Sequence, residues 1–302
     1  MSRGVRAGTV AYGVWGFLTI YWKELEEFSP FELIGWRVTS ACVVLAVVVT
    51  ARRRWPIIRA AFADRRLAMR IAGAALLLTA NWTSYLYAVG EGRIIETALG
   101  YFMSPLGTMI LGIVVFKERP STASRFAMVL AGVAIVVLTV SYGRVPVAGL
   151  IIAVSWSLYG AMKRQVPLTA VDSLAAETFI MVIPAVLLSA ALAARTDSIP
   201  RSADAGELVL VSLAGVATVV PLVLFAFAAA RVPFTILGPL NYLVPTINFL
   251  LGWGLYDEDL PLSRLVGFAF VWAALVVVTI DRLRAGVQGR RAAPAVVAST
   301  PD

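Results

Sequence analysis

The sequence contains no histidine and one cysteine, Cys42, in 302 residues. Without histidine the chain lacks the commonest metal ligand and the side chain that most readily carries a proton near neutral pH. A lone cysteine excludes a disulfide within the chain and leaves the redox compartment undetermined. Charge is scarce as well: 15% of residues are Asp, Glu, Lys or Arg, against about 25% in a typical soluble domain. No nucleotide-binding motif is present, so direct ATP drive within this chain is not expected. No A-x-A-like cleavage site follows the first apolar run, which merges into the acid cluster Glu24–Glu27 and so does not read as a cleavable signal peptide. No stretch of soluble-domain composition stands apart from the rest.

What is abundant is apolar surface. Hydrophobic residues make up 60% of the chain, and the mean hydropathy is +0.84. One soluble core cannot hide that much, which makes lipid the expected solvent. A spanning helix needs about 20 mostly apolar residues to cross roughly 30 Å of hydrocarbon. Runs of this kind fill the chain at 8–22, 31–50, 68–89, 97–116, 122–141, 146–163, 172–194, 207–230, 233–255 and 261–281. The expected fold is an all-α integral membrane protein of about ten transmembrane helices.

The net charge of +8 would raise nucleic-acid binding in a soluble protein. Here the cations sit in short loops between apolar runs, on alternate sides. The segments before span one, after spans two, four, six and eight, and after span ten hold 19 Lys and Arg; the other side holds 6, with Arg37 inside a span. Such asymmetry is a topology signal. It predicts both termini in the cytoplasm and a multi-pass protein of the plasma (inner) membrane, with no role for nucleic acid. The Ala-, Gly-, Pro- and Arg-rich stretch 285–302 reads as a disordered cytoplasmic tail.

The chain also resembles itself at a shift of 140 residues. Lys23 maps to Lys163, Tyr85 to Phe225, Pro105 to Pro245, Gly112 to Gly252, Phe116 to Tyr256 and Glu118 to Glu258. Matches among Ala, Leu and Val carry little weight in so apolar a sequence, but matched Lys, Pro, Gly and Glu carry more. The shift predicts two five-helix repeats, 8–141 and 146–281. Five is odd, so the second repeat enters the membrane from the opposite side. Inverted repeats are the usual architecture of secondary transporters, with the site near the midplane between the halves.

Ionisable and polar groups inside the spans are the candidate site, because lipid makes them costly. Arg37 lies six residues after Phe31, roughly 9 Å below the outer boundary at 1.5 Å per residue. Glu177 is its counterpart at the 140-residue shift. The two lie at depths differing by roughly 12 Å and are not expected to pair. Each reads either as a charge for substrate or proton, or as a snorkelling or structurally paired residue. Glu177 is the first choice for a coupled proton, and Glu177→Gln is expected to fold while lowering flux or flattening its pH dependence. Glu96, at the mouth of span four, is either a site residue or interfacial.

Span three carries a polar and aromatic band that includes Asn81, Trp82 and Tyr85. It suits a cavity wall that stacks and orients an organic molecule, or else hydrogen bonding between helices. Pro105 and Pro245 break spans four and nine, where a freed carbonyl must find another partner. Tyr101 lies near the first break, and Asn241, Tyr242 and Asn248 near the second. Trp15, Trp22 and Trp36 read as an aromatic belt. Asp257, Glu258 and Asp259 form an acidic turn that could hold a metal or simply belong to an outer loop.

At this point the residues resemble a known family. Glu96-Thr-Ala-Leu-Gly-Tyr-Phe-Met-Ser-Pro105, Asn81-Trp82, Thr218-Val-Val-Pro221 and Lys117-Glu118-Arg119 are similar to signatures of the RarD-type branch of the EamA, or drug/metabolite transporter, superfamily. The likeness runs from about Tyr12 to Asp281. It implies tandem EamA-type repeats around a central cavity and transport of a small organic solute, metabolite or drug, without naming the substrate. The expected protein is thus a secondary transporter working by alternating access, possible proton coupling included, with the lipid bilayer as its surroundings and a homo-oligomer compatible with the sequence. No cofactor is expected. An enzyme is not expected either, since the spans hold no histidine and no paired acids. The remaining alternative is a non-transport membrane scaffold or receptor-like subunit.

Overall fold

The computed structural model describes residues 3–115, 117, 119–163, 165–229, 231–232 and 240–292, the side chains of 229 and 282–292 aside. Every regular element among the described residues is helical. The helices are α1 (Arg3–Lys23), α2 (Pro30–Ala51), α3 (Trp55–Ala63), α4 (Arg65–Gly90), α5 (Ile94–Val114), α6 (Thr122–Tyr142), α7 (Val147–Lys163), α8 (Ala170–Leu192), α9 (Ile199–Ser202), α10 (Ala205–Ala229), α11 (Leu243–Gly254) and α12 (Leu262–Ala292). Six are long and apolar enough to cross a membrane: α2, α5, α6, α8, α10 and α12, the last over Leu262–Asp281. The helices α7 and α11 are apolar but shorter.

The sequence explains where several helices begin and end. Asp64 caps α4 by accepting from the amides of Arg66 and Leu67. Ser121 caps α6 through the Ser124 amide, and Thr169 caps α8 through the Asp172 amide. Each satisfies a donor that the first helical turn leaves unpaired. Pro30 opens α2, where its missing N–H costs nothing. Gly143 ends α6 at φ +63°, in the left-handed region that glycine enters without a Cβ penalty.

Three features differ from the sequence expectation. The short helices α3 and α9 occupy what reads as loop. The helix α12 runs on through Ala292, eight residues into the stretch read as a disordered tail; residues 293–302 lie outside the described residues. And α11 begins at Leu243, so Pro245 falls in its first turn rather than breaking a helix from within. Residues 233–239, the first part of expected span nine, also lie outside the described residues.

The chain divides into two compact units. One comprises residues 1–111 and 146–260, the other 112–145 and 261–302. In the smaller unit α6 and α12 lie antiparallel: Ser121 donates to Asp281 at one end (2.7 Å), and Ser141 and Ser263 share a hydrogen bond at the other (2.7 Å). Where α6 packs on α12, Ala127, Ala134 and Leu138 of the one and Phe268, Val271 and Ala274 of the other are fully buried. Gly267 lets Leu138 approach; a Cβ there would lie 2.5 Å from the leucine side chain. The opposite face of α6 exposes Val129, Val136 and Val140, the outward apolar pattern that lipid stabilises.

In the larger unit, α2 packs on α8 and α10, α4 on α7 and α8, and α1 on α10 and α11. Small residues set these approaches. A Cβ on Gly35 would strike the Ser189 hydroxyl, and one on Gly215 would strike the backbone of Ser40. Membrane helices have no lipid-driven hydrophobic force between them, so close backbone contact at small residues is what holds them. Val43 and Val47 of α2, with Ile183 and Leu187 of α8, face outward.

Candidate functional site

Among the described residues, the larger unit buries five Asp, Glu or Arg side chains inside its helices: Glu32, Arg37, Glu96, Asp172 and Glu177. Four are acids, and each is compensated. Glu32 accepts from the Ile199 amide at the start of α9 (2.9 Å). Asp172 takes two bonds from Arg54, at 3.1 Å from Nε and 2.5 Å from Nη2. Glu96 accepts from the Gly149 amide in the first turn of α7 (3.2 Å), with Arg93 3.8 Å away. Glu177 Oε1 accepts from Lys163 Nζ (2.7 Å) and Ser173 Oγ (2.8 Å), and Oε2 accepts from the Tyr159 hydroxyl (3.1 Å). Lys163 also donates to Ser173.

Arg37 is different. It is 5% exposed. Its Nε donates to Thr218 Oγ1 at 3.1 Å, and no carboxylate pairs with it among the described residues. The guanidinium lies 3.9 Å from the ring centre of Trp82 and 5.0 Å from that of Trp22. A cation over an indole face gains about 0.5–2 kcal/mol, less than a buried charge normally requires. Placement follows from the helices: α1 supplies Trp22, α2 supplies Arg37, α4 supplies Trp82 and α10 supplies Thr218.

A chain of hydrogen bonds runs beside this cation. Tyr101 donates to Asn81 Oδ1 (3.1 Å), and Asn81 Nδ2 donates to the Ile152 carbonyl (3.1 Å) and Ser155 Oγ (3.2 Å). Tyr85 shares a hydrogen bond with Thr19 (2.7 Å); Thr19 donates to Asn248 Oδ1 (2.9 Å), and Asn248 Nδ2 donates to Thr97 (3.3 Å). Aromatic rings link the groups. Tyr101 lies 6.2 Å from Tyr85 and 6.1 Å from Trp156, and Trp156 lies 5.6 Å from Tyr159. Tyr101, Trp156 and Tyr159 are half-buried. An aromatic file therefore connects the Arg37 end to the Lys163–Glu177 end.

Of the residues singled out in the sequence, Arg37, Trp82, Asn81, Tyr85, Tyr101 and Asn248 come together, and Glu177 closes the far end of the file. Glu96 is a buried helix cap rather than an interfacial acid. Pro105 lies within α5 and is half-buried, whereas Pro245 is buried in the first turn of α11. Asn241 and Tyr242 sit half-buried just ahead of α11. In the acidic turn, Glu258 receives the amides of Ile94 and Ile95, the second at 2.9 Å, and so caps α5. No group of three metal-ligating residues occurs among the described residues.

Trp22, read as part of an aromatic belt, is instead 2% exposed and stacked on Arg37. The sequence reading also passed over Thr19, Ser155, Trp156 and Tyr159 and gave Lys163 only a repeat partner. Lys163 carried a signal, a cation ending an apolar run; the hydroxyls and aromatics carried none that separates them from ordinary membrane-helix residues.

Comparison with known proteins places this arrangement. The sequence model of the EamA-like transporter family matches twice, at residues 3–140 and 145–280. Protein RarD of Streptomyces exfoliatus is 36% identical over 98% of this chain and 95% of its own. The uncharacterized transporter YojE of Bacillus subtilis is 32% identical over 94% and 95%. Protein RarD of Escherichia coli is 28% identical over 93% and 95%. A crystal structure at 18% identity shares the fold, with a TM-score of 0.59 over 92% of this chain and 98% of that one. With the family pattern matched in both halves and relatives aligned almost end to end, the chain is a multi-pass membrane transporter and belongs to the EamA-like transporter family, on its RarD-type branch.

Proposed function

We propose that this transporter is a secondary carrier that moves a small organic solute across the plasma membrane by alternating access, its two inverted five-helix repeats rocking around the aromatic file. The observation that carries the reading is the packing of the larger unit, which exchanges with itself under the 140-residue shift. The shift turns α1 into α7, α2 into α8, α4 into α10 and α5 into α11. The contact of α1 with α10 then becomes that of α7 with α4, and α2 with α10 becomes α8 with α4; both members of each pair occur. Gly16 against Ile247 in α11 is answered by Gly107 against Ser157. The buried acids follow suit. Glu32 of α2 ties the start of α9, and Asp172 of α8, its shift partner, ties Arg54 at the start of α3. A pseudo-two-fold of this kind gives two nearly equivalent packings, the physical requirement for exposing one site to either side in turn.

Proton coupling through Glu177 is part of the proposal. Its carboxylate is held by Lys163 of α7 and by Ser173 of its own helix α8, with the Tyr159 hydroxyl of α7 on the other oxygen, so the group bridges two helices that face each other across the site. The test is flux in proteoliposomes of purified protein, preceded by a thermal-shift screen against amino acids, nucleosides, other metabolites and amphiphilic drugs. Saturable flux of a screened solute, slowed by Tyr101→Ala, is expected. A folded protein that moves none of them would favour a scaffold role instead.

A further inference from the structure

The balance of buried charge in the larger unit narrows the class of solute. Each buried acid has a cation, a helix amide or both, as set out above. Among the described residues of this unit, Arg37 is the one buried Asp, Glu or Arg side chain that faces no opposite charge; the Trp22 and Trp82 indoles, the Thr218 hydroxyl and the phenols of Tyr21, Tyr85 and Tyr101 lie around it. A guanidinium removed from water and left without a counter-charge is strongly unfavourable. Indole stacking and one hydrogen bond offset part of that cost. Among the described residues no carboxylate accepts from the Nη N–H groups, which form a planar fork matched to a carboxylate and able to donate two parallel bonds to it. Trp22 and Trp82 flank the guanidinium, and Tyr85, Tyr101 and Trp156 continue from it as a series of ring faces.

We propose that Arg37 is the anchor for an organic carboxylate, and that the transported solute is an aromatic or similarly flat carboxylate whose body stacks along Tyr101 and Trp156. This rests on the carrier reading above and deepens it: the bound solute supplies the negative charge that the fold withholds from Arg37. Lys163 cannot serve as the anchor in this arrangement, because Glu177 already occupies it. Thr218 and the two indoles fix the guanidinium plane, so the charge is presented in one orientation.

The test is binding to the full-length protein in phosphatidylcholine nanodiscs, which carry no net anionic lipid to stand in as counter-ion. Benzoate, cinnamate and indole-3-acetate are each compared with their neutral amides, by thermal shift and by competition. At least one acid is expected to bind about tenfold or more tightly than its amide. Arg37→Gln is expected to abolish that preference by weakening the acid far more than the amide, and Arg37→Lys to retain part of it. Equal binding of acid and amide, an undiminished preference in Arg37→Gln, or no binding of any of the three acids would overturn the proposal. Should Arg37→Gln fail to fold, the acid-to-amide ratio of the unmodified protein decides alone. Proteoliposome flux separates the two readings: transport of neutral amides without preference for the acids keeps the carrier and removes the anion, whereas failure of all flux removes the carrier.

Discussion

Glu177 and Arg37 are partners at the 140-residue shift and meet opposite fates. Glu177 is held by three donors, so Glu177→Gln removes the charge partner of the half-buried Lys163. Breaking a buried pair from one side costs about 3–5 kcal/mol. Glu177→Gln is therefore expected to lower the melting temperature of the purified protein as well as its flux, in contrast to the sequence expectation of intact folding. The double variant Lys163→Met/Glu177→Gln should recover most of the melting temperature but not the pH dependence of flux. If the single variant melts like the unmodified protein, the pair is not structural. At the neighbouring network, Tyr101→Phe removes the hydroxyl that donates to Asn81. A loss of about 1 kcal/mol is expected, read as a modest fall in chemical stability. The sequence marked Arg37 and Glu177 because charge in an apolar run is conspicuous. It could not mark Lys163 or Trp22 as their partners, because those contacts join different helices.

At the scale of elements, acids act as caps that cross from one half of the chain to the other. Glu258 takes up two amides at the start of α5. Glu258→Ala strands both, at a cost of about 1–3 kcal/mol, and should speed hydrogen exchange in the first turn of α5 without affecting α2. Protection unchanged at Ile94 and Ile95 would refute the capping role. Helix contacts offer a paired test. Gly215→Ala places a methyl against the Ser40 backbone, and overpacking of this kind costs about 1–3 kcal/mol. Gly132→Ala meets nothing within 4 Å and is expected to be neutral or to stabilise by a few tenths of a kcal/mol, up to about 1 kcal/mol. Melting temperatures of the two variants in the same detergent decide the matter. The helices themselves were legible from apolar run length. The short helices α3 and α9 were not, because their burial depends on Asp172 and Glu32, acids far away in the sequence.

For the whole molecule, the charge asymmetry of the loops predicts orientation and the repeat predicts motion. In a Cys42→Ala background, a cysteine at Glu91 should react with a membrane-impermeant maleimide on intact cells, and one at Arg53 should not. The reverse pattern would invert the topology. The carrier reading adds that a cysteine replacing Trp156 should change its reactivity from one side of the membrane when a transported solute is present. Constant reactivity from both sides would count against alternating access. Tandem family matches span 3–140 and 145–280, while the compact units divide the chain differently, with the last long helix of each half, α6 and α12, in the smaller one.

The sequence by itself determined that the chain is helical and lives in a membrane, because apolar length and loop charge are local, additive properties that need no partner. It determined the family as well, through motifs carried on single helices. Only the tertiary structure decided which buried charges are silenced and which is left open. Glu96 and Glu177 stand out in the sequence as Arg37 does, whereas Glu32 and Asp172, at the ends of apolar runs, do not. Whether a buried charge is compensated depends on groups 50 to 180 residues away for most of them, brought within 4 Å by helix packing, and no local pattern encodes that distance.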